Sequence, residues 1–324
     1  MKKKIVSVVV TTHNNEKTIE QTLNSVIDQT FENIEIIVIN DGSTDGTENI
    51  LSKFSDEITL ITTNSKGPGA ARNTGIEVAT GNYITFMDGD DYFSDKNAIT
   101  KMVELSERCR ADLVITDFNY VDESGKTIKK WHSNKKIEHI YPSAWGKLFK
   151  IELWGEIRFP ENILYEDAGV IMAIWIQARN VAVLHQAIYS YRQSEKTITQ
   201  SLDNPIRHLD SIVAFRPYLK PVDDLKIQSK KKSAVHYMNH IIMGHVIVVK
   251  VEYKYSQEQV ITLNNLLSFM ETPVLKKYGF SDNVYSNILQ YLVYHLLKSD
   301  NFQFVLNLIL KQAILIRNKR RNRS

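Results

Sequence analysis

The feature that most constrains this 324-residue chain is a pair of apolar runs rich in β-branched residues, Ile5 to Thr11 and Ile34 to Asn40, each ending in polar residues. Such runs suit strands buried on both faces of a sheet. Between them Ile19, Leu23, Val26 and Ile27 recur at helical spacing, after Asn14 and Asn15, which suit helix N-caps. That is one βαβ unit. Further strands are expected at Ile58 to Thr62, Tyr83 to Met87 and Asp112 to Asp117, separated by helices at Ala70 to Val78 and Lys96 to Arg108. The expected fold class is α/β, an open and mostly parallel sheet with helices on both sides.

From Phe118 to Tyr191 the pattern is mixed, with a turn at Glu123 to Lys126, an aromatic-rich segment from Ser143 to Gly155 and a strand at Val181 to Tyr191. After about Asn204 only helices are expected, over Val235 to Tyr253, Gln257 to Met270, Val284 to Leu297 and Phe302 to Ile316. The expected division is therefore 1–203, then an all-helical C-terminal region 204–324. Apolar residues make up 43% and charged residues 24%, which excludes wholesale disorder and a polytopic membrane protein. Forty Lys plus Arg against 37 Asp plus Glu leave +3, too small an excess to imply a nucleic-acid partner. Cys109 is the single cysteine, which suits a reducing compartment. The N-terminal apolar run is too short for a secretory signal. A cytoplasmic location is expected.

Four local motifs can carry chemistry. In FMDGDDY, Asp88, Asp90 and Asp91 lie within four residues at the end of a strand, where they repel one another unless a cation sits among them. Oxygen ligands favour Mg²⁺ or Mn²⁺; an acidic loop capping the next helix is the other reading. Asn40 and Asp41 in INDGSTDGT end the second strand, where open sheets bind ligands. Gly67 and Gly69 open a helix after a strand, but the third glycine of a dinucleotide fingerprint is absent, leaving a loop that lets Arg72 reach a ligand. In ILYEDAGV, Glu166 and Asp167 end an apolar strand-like run and precede a helix, as a cap or as a general base.

Taken in order, SVVVTTHNNEKTI, VINDGSTDGT, GPGAARNTGI, YITFMDGDDYF, WGKLFK, YEDAGV and YRQSEKTIT closely resemble glycosyltransferase family 2, with the GT-A fold, over residues 1–200. The resemblance implies an inverting transferase that takes a nucleotide sugar at the sheet end. It implies that Asp41 holds the nucleobase with help from Arg72, that Asp88 contacts ribose, that Asp90 ligates Mn²⁺ or Mg²⁺, and that Asp167 is the catalytic base. Thr11, His13 and Asn14 fall in the motif lining the donor, and Arg192 and Thr197 would meet the diphosphate. Asp41 as an acceptor suits the imide N–H of uracil and disfavours cytosine, so a UDP-sugar is the expected donor, with GDP not excluded by the carboxylate. The expected acceptor is a hydroxyl of a saccharide or lipid-linked saccharide in cell-envelope polysaccharide synthesis, with Trp145, Lys147 and Glu166 as candidate contacts. Trp145 reads equally as a core residue.

Two other classes fit the motifs less well. A nucleotidyltransferase would want a basic phosphate loop near the N-terminus, and SVVVTTHNN has no Lys or Arg. A non-catalytic nucleotide-sugar-binding protein would have lost Asp90 or Asp167. Finally, the apolar stripe of Phe302 to Ile316 with the basic run behind it suits peripheral membrane contact, a homo-oligomer, or a core helix with a solvated tail.

Overall fold

The structure, a computed structural model, describes residues 4–193, 204–253 and 257–278. Apart from short 3₁₀ turns, the first half runs β1 (Val6–Thr12), α1 (Ile19–Ile27), β2 (Ile34–Asn40), α2 (Thr47–Leu51), β3 (Thr59–Thr62), α3 (Pro68–Val78), β4 (Tyr83–Asp88), β5 (Tyr92–Phe93) and α4 (Ala98–Cys109). It continues with β6 (Leu113–Val121), β7 (Thr127–Trp131), β8 (Lys147–Lys150), α5 (Glu166–Gln177) and β9 (Val181–Arg192). Helices follow: α6 (Asp210–Phe215), α7 (Leu219–Asp223), α8 (Gln228–Glu252), α9 (Gln257–Met270) and α10 (Pro273–Tyr278).

The expected parallel sheet is present in the order β3-β2-β1-β4, so strand order reverses between β1 and β4. Beyond β4 the sheet becomes mixed. Strand β8 runs antiparallel to both β4 and β6, β9 runs parallel to β6, and β5 and β7 add antiparallel edges. β6 extends four residues past the expected Asp117, because Phe118 and Tyr120 suit a strand and the turn behind them closes a hairpin: Asp122 Oδ1 accepts from the Ser124 and Lys126 amides.

β1 is buried along its whole length. Alternation sends Val8 and Val10 to the core under α1 and α4 and Val9 to the opposite core under α3 and α5. Helix α3 seats very closely on the sheet, since a Cβ on Gly75 would lie 2.3 Å from Val9 Cγ1. The core on the Val9 side continues through α5 into α6, α8, α9 and α10, as far as Leu275. Where α6 crosses α5, a Cβ on Gly169 would lie 2.1 Å from the Ala214 carbonyl oxygen.

Two local expectations change. Asn14 and Asn15 are not N-caps: α1 starts at Ile19 behind Thr18, Asn14 sits at φ 55°, and Asn15 Oδ1 accepts from Thr12 Oγ1 at 2.9 Å. The run before Glu166 is not strand-like; Asn162 and Tyr165 both take positive φ and fold it into bends. Among the described residues no helix is long and apolar enough to cross a membrane. The expected helices at Val284 to Leu297 and Phe302 to Ile316, with the membrane or oligomer contact assigned to them, lie outside the described residues, as does Thr197.

Candidate active site

Register sets the floor of the site. Thr11 pairs with Asp88 and Thr12 with Asn40, so Thr11, Asp41 and Asp88 stand together at the carboxyl ends of β1, β2 and β4, where strand order reverses. Asp41 is buried, and its carboxylate accepts from Thr63 Oγ1 at 2.7 Å and from the Lys66 and Gly67 amides at 2.9 and 2.7 Å. A carboxylate has about four lone-pair sites, so Asp41 anchors the loop into α3 and keeps one direction open. His13 donates from Nδ1 to the Asp41 carbonyl (2.8 Å) and accepts at Nε2 from the Asn14 amide (3.1 Å). Asn14 Oδ1 in turn accepts from the Thr44 amide at 2.8 Å. These two residues form an exposed rim over Asp41.

Arg72 is the hub. Buried on α3 at 3% exposure, it donates from Nη2 to Asp88 Oδ1 at 2.9 Å and from Nη1 to Asp167 Oδ1 at 3.0 Å and to Glu166 Oε1. Its guanidinium lies over the Phe159 ring. Its described ion pairs run to Asp88, Glu166 and Asp167 and none to Asp41, so its fork ties β4 to the start of α5. Glu166 faces this arginine and is 7% exposed, which removes it from the surface open to an acceptor. One cation among three carboxylates leaves the cluster negative. Burial and the charges of Glu166 and Asp88 push Asp167 up to about 7 against the pull of Arg72. That places the Asp167 carboxyl where a general base works best at neutral pH.

The aspartates of FMDGDDY separate by role. Asp91 is fully buried, accepting from Tyr189 Oη at 2.7 Å and from the Arg192 amide at 2.8 Å, and so locks β9 against the turn rather than facing a ligand. Asp90 is pushed up to about 6 by burial and by the Asp88 charge. No group of three or more His, Cys, Asp or Glu side chains surrounds one point among the described residues. Asp90 with its neighbour Asp88 therefore offers one or two oxygen ligands. That donor set fits Mg²⁺ or Mn²⁺, which usually fill the rest of their coordination with water and substrate phosphate. Arg192, expected at the diphosphate, donates instead to the Asp90 carbonyl (2.9 Å), the Glu123 carbonyl (2.9 Å) and Gln21 Oε1 (2.6 Å). Buried at 7% exposure, it clamps the Asp90 turn.

The acceptor candidates of WGKLFK are corrected by burial. Trp145 is 4% exposed, stacked on Tyr189 at 4.8 Å and 1°, with Phe118, Tyr141 and Tyr191 around it. It belongs to the core. Lys147 is 2% exposed and its ammonium donates to the Tyr141, Ser143 and Trp145 carbonyls at 3.0, 2.6 and 3.3 Å. Burial pushes it down to about 7 against the pull of the Asp167 charge. The loop it laces, 141–145, presents the Ala144 amide to Asp167 Oδ2 at 3.1 Å. Neither Ala144 nor Tyr189 carries a sequence signal, since one acts through its backbone and the other through a partner 98 residues away.

Residues 7–163 match Glycosyl transferase family 2. An uncharacterized glycosyltransferase of Haemophilus influenzae is 35% identical over 230 residues, which are 67% of this chain and 88% of that protein. The chain belongs to glycosyl transferase family 2. Glycosyltransferase GlyA of Streptococcus pneumoniae is 33% identical over 211 residues, 58% of this chain but only 30% of that longer protein. The likeness of fold extends beyond the matched segment: the crystal structure of Staphylococcus aureus TarS 1-349 in complex with UDP-GlcNAc superposes with a TM-score of 0.69 at 22% identity, over 90% of each chain. That likeness takes in helices of the C-terminal region, which carry none of the family 2 motifs quoted above.

Proposed function

We propose that this chain is an inverting glycosyltransferase that moves a sugar from a UDP-sugar to a hydroxyl of a saccharide or lipid-linked saccharide acceptor in cell-surface polysaccharide synthesis. The observation that carries the reading is the geometry of Asp167: a half-buried carboxyl held by Arg72 and the Ala144 amide and pushed up to about 7 by burial and its acidic neighbours. A UDP donor is supported by the open lone pair of Asp41, which suits a uracil imide, and by the relative of like fold described with UDP-GlcNAc. In this reading Asp41 takes the base with His13 and Asn14 at its rim, Asp88 offers its second oxygen to ribose, and Thr11 fixes Asp88. Asp167 removes the proton of the acceptor hydroxyl as that oxygen forms its bond to the anomeric carbon and the bond to the diphosphate breaks. One base and one displacement invert the anomeric configuration. Mn²⁺ or Mg²⁺ on Asp90 and Asp88 would supply charge neutralisation to the departing diphosphate. Arg192 holds the Asp90 turn in place for that task.

The test is nucleotide release from UDP-glucose, UDP-N-acetylglucosamine, UDP-galactose and GDP-mannose, each with Mn²⁺ and with EDTA. Release of UDP from one UDP-sugar is expected. No release from any donor, with no donor raising the melting temperature, overturns the reading.

A further inference from the structure

The turn that launches α5 is held from the helical region. Tyr165, the residue before α5, takes φ 62° and ψ 26°, a left-handed conformation that residues other than glycine adopt only at an energetic cost. Its ring closes a triangle with two imidazoles. It lies 6.0 Å from His208 at an interplanar angle of 21° and 4.3 Å from His245 at 61°, and the imidazoles lie 5.2 Å from each other. His208 stands on the 3₁₀ turn Pro205–Leu209 and His245 on α8, while Tyr253, just past α8, meets His208 edge-on at 5.7 Å. One residue before Tyr165, the Leu164 amide donates to Asp210 Oδ2 at 2.9 Å at the start of α6. Leu164 and Tyr165 are thus fastened to three separate elements that follow β9.

The two imidazoles are joined through their Nδ1 atoms, 2.9 Å apart. One proton lies between them, so one ring donates and the other accepts. His208 is 3% exposed, and its Nε2 is buried with no hydrogen-bond partner among the described residues. A proton on that nitrogen would be an orphaned donor, which interiors avoid more strictly than an orphaned acceptor. His208 therefore carries its proton on Nδ1 and donates it to His245. Burial holds both rings below their ordinary pKa, His245 down to about 3 with His208 beside it, so the pair is neutral and intact at neutral pH.

Asp167 stands two positions after Tyr165, and its partners Arg72 and Ala144 belong to α3 and to the loop before β8. Neither partner moves with α5, so both bonds form only if α5 enters at one angle. The backbone of Tyr165 sets that angle, and a strained conformation persists only where its surroundings hold it. We infer that Tyr165, His208 and His245 are positioning residues for the base: the bonded imidazole pair holds the Tyr165 ring, the ring fixes the left-handed turn, and the turn aims Asp167. The inference rests on the transferase reading above in taking Asp167 as the base. It gives the helices after β9 a part in the chemistry, exerted through Asp167 and not by contact with sugar or nucleotide.

The test uses the full chain and the UDP-sugar that the release assay selects. His245→Leu fills the space of the ring but cannot accept from His208, whereas His245→Gln can accept through its amide oxygen. Tyr165→Gly removes the ring and suits φ 62°, so the turn loses its hold without gaining strain. Both His245→Leu and Tyr165→Gly should lower kcat by about tenfold or more with donor KM within about twofold of the unaltered chain. His245→Gln should recover most of that loss. Val213→Ser, on the exposed face of α6, should change neither constant. Hydrogen exchange at the Ala144 amide, followed in ¹⁵N–¹H spectra, should quicken in the first two variants, because its acceptor has moved. If the unaltered chain releases UDP, the transferase reading holds, and the inference is overturned by an unchanged kcat in both variants, by a donor KM that rises as much as kcat falls, or by a loss that His245→Gln does not relieve. If no donor releases nucleotide, the transferase reading fails and the exchange rate decides: quicker exchange at Ala144 upholds the positioning of Asp167, and an unaltered rate in both variants refutes it.

Discussion

The backbone amide of Ala144 donates to Asp167 Oδ2 at 3.1 Å, while Arg72 grips the other oxygen at 3.0 Å. The carboxyl is thus oriented from two elements far apart in the chain, and its second oxygen depends on a loop whose shape is set by the buried ammonium of Lys147.

Asp167→Asn should lower kcat by roughly 10²-fold or more while leaving UDP affinity close to that of the unaltered chain, because the carboxylate acts on the acceptor. The unaltered enzyme should show kcat/KM rising with pH up to about 7, as the base loses its proton. Steady-state kinetics between pH 5 and 9 check both statements; a UDP affinity lost together with normal kcat would reassign Asp167 to the donor.

Lys147→Met keeps the bulk of the buried stem but frees the Tyr141, Ser143 and Trp145 carbonyls. Losing the cation and loosening the Ala144 bond both disfavour ionised Asp167. The acid limb of the rate profile should therefore move to higher pH, with reduced kcat and unchanged donor KM. An unshifted limb would mean that Lys147 serves stability alone.

Arg72→Met leaves Asp88, Glu166 and Asp167 without their shared cation. Breaking a buried pair in this way costs on the order of 3–5 kcal/mol, and the loss should be larger at pH 8 than at pH 5, where protons relieve part of the repulsion. Urea unfolding at the two pH values measures it, and an equal loss at both would count against the carboxylate repulsion described for this cluster.

Asp90 gives a metal test that needs no turnover. Its folded carboxyl holds a proton up to about 6, against an ordinary value of 3.8, so ionisation near neutral pH weakens the metal-free fold. Asp90→Asn should therefore raise the melting temperature in EDTA at pH 7.5 by roughly 2–4 °C, and the gain should fade on acidifying toward pH 4. Mn²⁺ should raise the melting temperature of the unaltered chain and leave that of Asp90→Asn where it was. A rise of equal size in both would place the metal elsewhere.

The parallel half of the sheet was legible because a strand buried on both faces must be an uninterrupted apolar run, as β1 and β2 are. β5 and β8 were not, since two and four residues carry no periodicity. Asp167 stood out through its motif and its place before a helix. The destination of Arg72 did not, because its carboxylates lie 16, 94 and 95 residues away and nothing local announces them. Lys147 misled for a physical reason. Lysine is almost always exposed, and its burial here is made tolerable by carbonyls of a loop whose conformation only the fold creates. Trp145 similarly offered an indole suited to a sugar, and the tyrosines of β9 that cover it come 44 and 46 positions later.

The contact of Gly169 with Ala214 ties two stretches that belong to different sequence signals, one inside the motif YEDAGV and one beyond the quoted motifs. With a Cβ at 169 excluded by a carbonyl oxygen 2.1 Å away, the two backbones tolerate no side chain between them. The helices after β9 are thus seated directly on α5 through α6. A chimera that exchanges them for those of another transferase must carry a glycine at the crossing and a partner backbone of matching height, or the helix that holds Asp167 is displaced along with its cargo.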